Sequence, residues 1–246
     1  MTVAQVIHPG DRIEINEIKR GRQRDEMPCL YRSKVLDVME NGNIEIAMPT
    51  EKGKLVLLTL GVRFDFVFFC RSGLYRAVAQ VKERYKKDNI YMLEIELKSQ
   101  LEKFQRREFY RYPCIMKFDY YLLTKEEAEC GTGEAIYIQI RNEELKDKKE
   151  RAGQIIDLSG GGVKFITEGE IEEGQYMLLL LHLRNEELNK LYYIIGNIIA
   201  CQESERSGRK CYEARVKFMI QDNNVQEDII RYIFEEERKT RQRSRR

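Results

Sequence analysis

Tryptophan is absent from this chain, histidine occurs twice, and neither sign of charge predominates over its 246 residues. His8 and His182 are too few for a histidine-based zinc site or for a catalytic triad that uses more than one imidazole. Forty-three Lys+Arg against 41 Asp+Glu leave a formal net charge of +2, which disfavours a general polyanion binder. The longest apolar runs, at 176–181 and 191–195, are shorter than the ~18 residues that span a bilayer. We therefore expect no metal and no membrane insertion.

Cysteines are few and scattered, and no CxxC pair occurs. The six are Cys29, Cys70, Cys114, Cys130, Cys201 and Cys211. A chain of this length does not need disulfides, so we expect reduced and mostly buried thiols. The first residues, MTVAQVIHPGDR, lack the basic and apolar segments of a secretion signal. A cytoplasmic protein is expected.

Strand patterns dominate the first hundred residues. Arg12–Glu17 alternates between polar and apolar residues, and segments 35–38 and 44–48 flank Asn41-Gly42, a strong hairpin signal. Further β-rich segments lie at 55–60, 64–70, 74–84 and 90–97. The pattern predicts an all-β unit with a hairpin over 33–48.

A second series of β-rich segments follows Pro113. These segments are 116–121, 135–140, 154–158, 163–166, 176–183, 191–200 and 211–220. Six or seven strands favour a closed barrel. Residues 98–112 between the two series are polar and basic, so we place the domain junction there, with domains at 1–104 and 105–246.

Short helical signals accompany the second series. Thr124–Glu127 resembles a capping box that opens a helical turn, and 143–150 is interpreted as a charged hairpin loop. Asn224 is placed at the cap of a terminal amphipathic helix, because apolar residues recur at helical spacing after it. The basic tail 238–246 is either frayed and solvated or a contact for an anionic partner.

Two spaced motifs carry the functional information. Arg107 and Arg111 form an RxxxR motif, and Asp157, Ser159 and Gly162 form a [D/N]xSxxG motif about fifty residues later. Together they resemble the signature of the PilZ family, whose members are β-barrels that bind cyclic di-GMP (c-di-GMP). The first hundred residues are similar to the N-terminal domain of YcgR-type flagellar-brake proteins. The resemblance implies an all-β fold of two barrels in tandem, an N-terminal YcgR-like split barrel and a six-stranded PilZ barrel, with a C-terminal amphipathic helix.

The motif residues suit such a ligand chemically. A guanidinium, as in Arg107 or Arg111, can fork onto phosphate oxygens or guanine O6/N7, or stack on a base. The carboxylate of Asp157 can accept hydrogen bonds from the guanine N1–H and N2–H₂ edge. Ser159 offers a hydroxyl, and the run Gly160–Gly162, with Gly161 and Gly162 as binding residues, allows positive φ and close approach of the ligand.

Arg106, directly before the RxxxR motif, is also expected to bind the ligand. In similar PilZ proteins this position influences whether one ligand or a stacked pair is bound, and arginine favours the pair. A further guanidinium can stack on a second nucleotide and offset the crowding of four phosphate charges. We expect two c-di-GMP molecules per chain.

No motif of an enzyme accompanies these residues: the sequence has no phosphate-binding P-loop, no GxGxxG and no GxSxG. We predict a receptor that is not an enzyme, changes domain arrangement on binding c-di-GMP and regulates motility by contacting a flagellar motor or stator protein, to which it is recruited. Control of a polysaccharide synthase is an alternative output. A barrel that binds single-stranded nucleic acid through its 14 Tyr and 10 Phe is a different alternative. The near-neutral charge argues against a nucleic-acid partner.

Overall fold

Antiparallel strands make up most of the regular structure in the computed structural model, which describes residues 2–18, 30–51, 54–206, 208–220 and 222–243. The chain forms two compact units, Met1–Arg106 and Arg107–Arg246. Each unit has its own apolar core. The predicted all-β fold with two β units and a C-terminal helix is confirmed.

Within its described residues, the N-terminal unit has one short helix and nine strands. These are α1 (Val3–Val6), β1 (Arg12–Glu17), β2 (Leu30–Val38), β3 (Ile44–Ala47), β4 (Thr50–Glu51), β5 (Lys54–Leu55), β6 (Arg63–Cys70), β7 (Gly73–Lys87), β8 (Ile90–Leu97) and β9 (Glu102–Lys103). The strand order β1-β6-β7-β8-β3-β2 returns to its start because β1 also pairs with β2. Inward side chains such as Ile15, Phe66 and Phe68 are fully buried, as the alternating pattern requires.

Two predictions in this unit have different outcomes. The hairpin is confirmed, since β2 pairs with β3 and Gly42 adopts φ +85 in the turn. The strand at 55–60 is wrong beyond Leu55. The backbone leaves the β4–β5 ladder after the bond from Val56 N to Pro49 O, and only Leu58 of the following leucines is buried. Apolar residues without a neighbouring strand do not form a ladder.

The C-terminal unit is a closed barrel with added helices. Its elements are β10 (Arg111–Leu123), α2 (Lys125–Glu129), α3 (Gly133–Arg141), β11 (Arg151–Ser159), β12 (Gly162–Thr167), β13 (Tyr176–Arg184), β14 (Asn189–Arg206), β15 (Arg209–Phe218) and α4 (Asn223–Arg243). The barrel order is β10-β11-β12-β15-β14-β13. The aromatic side chains of Phe118, Tyr120 and Phe165 pack together in its core. The predicted six-stranded barrel is confirmed.

The segment 135–140, predicted as a strand, is instead most of α3. Thr132 Oγ1 caps this helix by accepting from Ala135 N at 3.3 Å. Ile136 is buried in a small apolar cluster with Leu178 and Ile195, against the outer face of the barrel. Packing against the apolar exterior of the barrel therefore favours a helix, which has one apolar face, over a strand. Segment 143–150 consequently links a helix to a strand and is not a hairpin loop.

Helix ends agree only in part with the sequence patterns. The capping box before α2 is confirmed: Thr124 Oγ1 accepts from Glu127 N, and Thr124 N donates to Glu127 Oε2 at 2.7 Å. In α4 the helix already includes Asn224, whose backbone N donates to Asp222 Oδ1 at 2.9 Å. The predicted cap position was therefore wrong by two residues.

The basic tail is helical up to Arg243, so a frayed tail from residue 238 is wrong; residues 244–246 lie outside the described part. Ion pairs along α4 join Lys239 to Glu236 at 3.2 Å and Arg241 to Glu237 at 2.6 Å. Such pairs, three and four residues apart, stabilise the last turns of the helix.

The thiols of the described cysteines are free but mostly not buried. Of the described cysteines only Cys211 is buried, and Cys130 is exposed. The burial prediction was therefore wrong for most of them, and Cys29 lies outside the described residues. Across the described ranges, no helix is long and apolar enough to cross a membrane.

Candidate functional site

Neighbouring strands of the C-terminal barrel bring the two sequence motifs together. The β10–β11 register places Arg111 opposite Ser159, and the β11–β12 register places Asp157 opposite Lys164. The two strands that carry the motifs are therefore hydrogen-bonded neighbours. Residues separated by almost fifty positions become adjacent only through this register.

The next strand adds positive charge. The β12–β15 register places Arg215 opposite Lys164 and Lys217 opposite Gly162. Val216, between the two cations, is buried in the core. Because side chains alternate along a strand, Arg215 and Lys217 both point outward, on the same face as the motifs.

These residues line an open cleft of about 300 Å³ on the C-terminal unit. Its lining consists of Arg111, Asp157, Ser159, Gly161, Gly162, Val163, Lys164, Ile199, Arg215, Val216 and Lys217. Four side chains are cationic and one is a carboxylate. The cleft is at the lower end of the ~300–1,000 Å³ that ligand pockets occupy, so a dinucleotide would be only partly enclosed.

Asp157 is the acidic group of the cleft. Burial raises the pKa of Asp157 above its ordinary value, while the charges of Arg111, Arg107, Lys164 and Arg215 act in the opposite direction. The carboxylate is thus partly desolvated and surrounded by cations. A ligand that donates hydrogen bonds to it would replace lost water.

The glycines of the second motif serve packing and not positive φ, so that part of the prediction was wrong. A Cβ atom on Gly160 would lie 2.7 Å from Ile230 Cγ1, and one on Gly161 would lie 2.9 Å from Phe109 Cδ2. At Gly162 it would lie 2.1 Å from the carbonyl oxygen of Val216. The turn between β11 and β12 is therefore closely covered by neighbouring groups.

Ser159 holds this turn together. Its Oγ donates to Gly162 O at 3.0 Å. The hydroxyl proton is therefore engaged inside the turn, and the oxygen lone pairs remain to accept a bond.

Family models match both units. Residues 8–97 match PilZNR, described as flagellar protein YcgR, and residues 105–235 match the PilZ domain. The chain belongs to the PilZ family. The resemblance drawn from the two motifs is confirmed, whereas the division of this PilZ protein at 104/105 stays a prediction.

Solved structures similar to this PilZ protein include the inhibitor of motility MotI/DgrA from Bacillus subtilis. That match has a TM-score of 0.69 and 16% identity, and it covers 96% of this chain and 100% of MotI. YcgR from Escherichia coli in complex with c-di-GMP matches with a TM-score of 0.46 and 14% identity, covering 96% of this chain and 87% of YcgR. No curated protein sequence matches the chain. At this identity the similarity to MotI shows a shared fold.

The segment that carries RxxxR is anchored within the PilZ unit. The ring of Tyr110 stacks on Phe234 of α4 at 6.4 Å, and its hydroxyl donates to Glu237 at 3.0 Å. Phe109 packs on the glycine turn. Arg107 is exposed and its charge acts on Asp157. Packing by Phe109 and Tyr110 thus fixes the backbone between the two arginines of the motif.

Arg106 belongs to the N-terminal unit and is not among the residues that line the cleft. Its Nη1 donates to Glu14 Oε2 at 2.7 Å, and its guanidinium lies 5.0 Å from the ring centre of Phe69. Of the seven predicted binding residues, the structure therefore gathers five in the lining of one cleft, with Arg107 close enough to act on Asp157.

The sequence motifs missed three cationic residues and the one exposed apolar residue in the lining of this PilZ cleft. Lys164 forms an ion pair with Glu213 at 2.6 Å, whereas Arg215 and Lys217 have no ion-pair partner in the part of the chain that the structure describes. Ile199, next to a register shift in β14, is 51% exposed. The alternating sequence Arg215-Val216-Lys217 was the available signal, since it places two cations on one face.

Proposed function

We propose that this PilZ protein is a receptor for c-di-GMP and has no catalytic activity. The observation that supports this proposal most directly is the cleft, which combines one partly desolvated carboxylate, Asp157, with four cationic side chains. A matching ligand must bring negative charge for the cations and hydrogen-bond donors for the carboxylate. C-di-GMP meets both requirements through two phosphodiesters and two guanine edges.

Each group has a definite task in this proposal. Arg107 and Arg111 bind phosphate oxygens or guanine O6/N7, because a planar guanidinium can fork onto either. Asp157 accepts from the guanine N1–H and N2–H₂ edge, which selects guanine over adenine. Arg215 and Lys217 supply charge to the phosphates from the opposite side of the cleft.

The proposed stoichiometry is two c-di-GMP molecules per chain, with Arg106 binding the second molecule. Two ligands bring four phosphate charges into one cleft. Each added cation reduces their mutual repulsion. The exposed Ile199 offers an apolar surface to a base that projects beyond the cleft.

The proposed output is control of motility through a flagellar motor or stator protein. The match to MotI, named as an inhibitor of motility, extends over nearly all of both chains. The N-terminal unit, which matches the model described as flagellar protein YcgR, supports the same process. We infer that c-di-GMP changes the arrangement of the two units and thereby presents the surface that meets the motor.

Titration calorimetry with c-di-GMP tests the ligand. Arg111→Ala should weaken binding about 10- to 100-fold, because a charge-assisted hydrogen bond contributes ~1.5–3 kcal/mol and ~1.4 kcal/mol is tenfold in affinity. Arg209→Ala is the matched control, since Arg209 is an exposed arginine of the same barrel outside the cleft.

Two outcomes would reject the assignment. One is the absence of c-di-GMP binding by the unaltered protein. The other is equal affinity for Arg111→Ala and Arg209→Ala. A labelled oligonucleotide that binds more tightly as its length increases would support the nucleic-acid alternative in its place.

A further inference from the structure

Arg106 is held by a preformed set of groups on the outer face of the N-terminal barrel. Arg12 and Phe69 are opposite one another in the β1–β6 register, and Glu14 follows two residues after Arg12. The three side chains therefore share one face of the ladder. Because β1 pairs with both β2 and β6, the backbone that carries Glu14 is fixed on both sides.

The contacts of Arg106 engage one edge and one surface of its guanidinium. Nη1 lies 2.7 Å from Glu14 Oε2, and the Cζ atom lies 5.0 Å from the ring centre of Phe69. The side chain of Glu14 is 19% exposed and that of Arg106 is 41% exposed. A guanidinium in this position has fewer donors and less stacking surface to give to a nucleotide.

We propose that Glu14 and Phe69 compete with c-di-GMP for Arg106 and so set the affinity for the second ligand molecule. This inference rests on the proposed function. In the ligand-free chain the carboxylate and the ring hold the arginine, and the second c-di-GMP molecule must take it from them. The apparent dissociation constant is then the intrinsic one divided by the fraction of chains in which Arg106 is released.

The structure makes this exchange reversible. Arg12 lies 5.0 Å from the ring centre of Phe69 as well, so a second guanidinium stays at the ring when Arg106 leaves. Glu14 is partly exposed and regains water when the ion pair opens. Release of Arg106 thus leaves neither a buried unpaired charge nor an uncovered ring behind.

The size of the effect follows from the exposure of the pair. An ion pair of this kind is equivalent to about a 1.5- to 5-fold preference, and an exposed cation–π contact to about 2- to 5-fold. Loss of Glu14 alone should therefore tighten binding of the second ligand molecule by roughly threefold. Loss of both partners should tighten it by roughly tenfold.

A double-mutant cycle on the full chain, measured by titration calorimetry with c-di-GMP, tests the competition. Glu14→Gln keeps the side-chain size on β1 and should tighten the second binding step about threefold. The same substitution in an Arg106→Ala background should not change the affinity for the second ligand molecule, because the guanidinium for which Glu14 and the ligand compete is absent. Phe69→Leu should act in the same direction as Glu14→Gln.

Glu83→Gln is the matched control, since it removes one exposed negative charge from β7 of the same unit without touching Arg106. Equal tightening by Glu83→Gln and Glu14→Gln would show a general effect of charge and overturn the competition. Unchanged or weaker binding in Glu14→Gln, or the same change with and without Arg106, would also overturn it. If the unaltered protein bound no c-di-GMP, the proposed function itself would fail. If it bound c-di-GMP but the double-mutant cycle showed no coupling between Glu14 and Arg106, only the competition would be rejected.

Discussion

Asp157 combines a cost to folding with the role in binding that we propose for it. Its raised pKa means that the native state binds the proton more tightly than the unfolded chain does. The protonated acid therefore favours folding at pH values below its ordinary pKa of 3.8. This contribution is lost as the pH rises through the raised native pKa, where the charged form disfavours folding.

The substitution Asp157→Asn should accordingly raise the melting temperature of the ligand-free protein at pH 7. The increase should shrink as the pH falls toward 3.8. The same variant should bind c-di-GMP about tenfold more weakly, because the neutral amide oxygen is a weaker acceptor for the guanine N–H groups than the carboxylate is. Thermal unfolding across pH and calorimetry measure the two effects. Asp119→Asn, at an exposed position on β10, is the control, and a lower melting temperature for Asp157→Asn at pH 7 would contradict the burial argument.

Arg215 was not found from the sequence, yet it should matter for binding. Its position depends on which residue of β15 pairs with Lys164, and no local pattern specifies that register. Arg215→Ala should weaken c-di-GMP binding about tenfold in calorimetry, measured against Arg209→Ala on the same strand. Equal affinities would show that the β15 face of the cleft does not contact the ligand. The RxxxR and DxSxxG residues, by contrast, could be found because their spacing is local.

At the scale of elements, most strands were predictable, whereas α3 was not. Ile136, Tyr137, Ile138 and Ile140 are residue types common in strands, so their local preference favoured a strand. The segment forms a helix instead because Ile136, Tyr137 and Ile140 pack, from one face of that helix, into an apolar cluster on the outer face of the barrel. Local preference is a weak guide when tertiary packing offers a different partner.

The turn between β11 and β12 gives a prediction at the same scale. Gly162→Ala should lower the free energy of unfolding by about 1–3 kcal/mol, because its Cβ would overlap the Val216 carbonyl and force β12 and β15 apart. Binding of c-di-GMP should weaken in parallel, since the same strands carry the cleft. Urea unfolding measures the stability. Gly131→Ala, whose Cβ would meet only Ala135 Cβ at 3.8 Å, should be near neutral; equal losses in both variants would contradict this packing argument.

At the scale of the whole molecule, the two β units and the terminal helix followed from the sequence, while the held position of Arg106 did not. Glu14 and Arg106 are 92 positions apart, and contacts of this range depend on the completed fold. We expect ligand-induced rearrangement of the units because the RxxxR motif begins directly after Arg106. Small-angle scattering with saturating c-di-GMP should differ from the ligand-free curve, and Arg111→Ala should show no such difference at the same concentration. Superimposable curves for the unaltered protein would mean that c-di-GMP does not act by changing the arrangement of the two units.

Helix α4 supports the cleft from outside the barrel, and its place in the chain has a consequence for biosynthesis. Gln226 Nε2 donates to Gly160 O at 3.1 Å, and Ile230 packs on the same glycine. All six barrel strands precede α4 in the chain, so they leave the ribosome before it does. A nascent chain that stops before residue 223 has both binding motifs but lacks the support of their turn. On the proposed function, we therefore expect competence to bind c-di-GMP to be acquired only after the barrel strands have emerged, so that an unfinished chain should not withdraw the messenger from the pool that completed receptors sense.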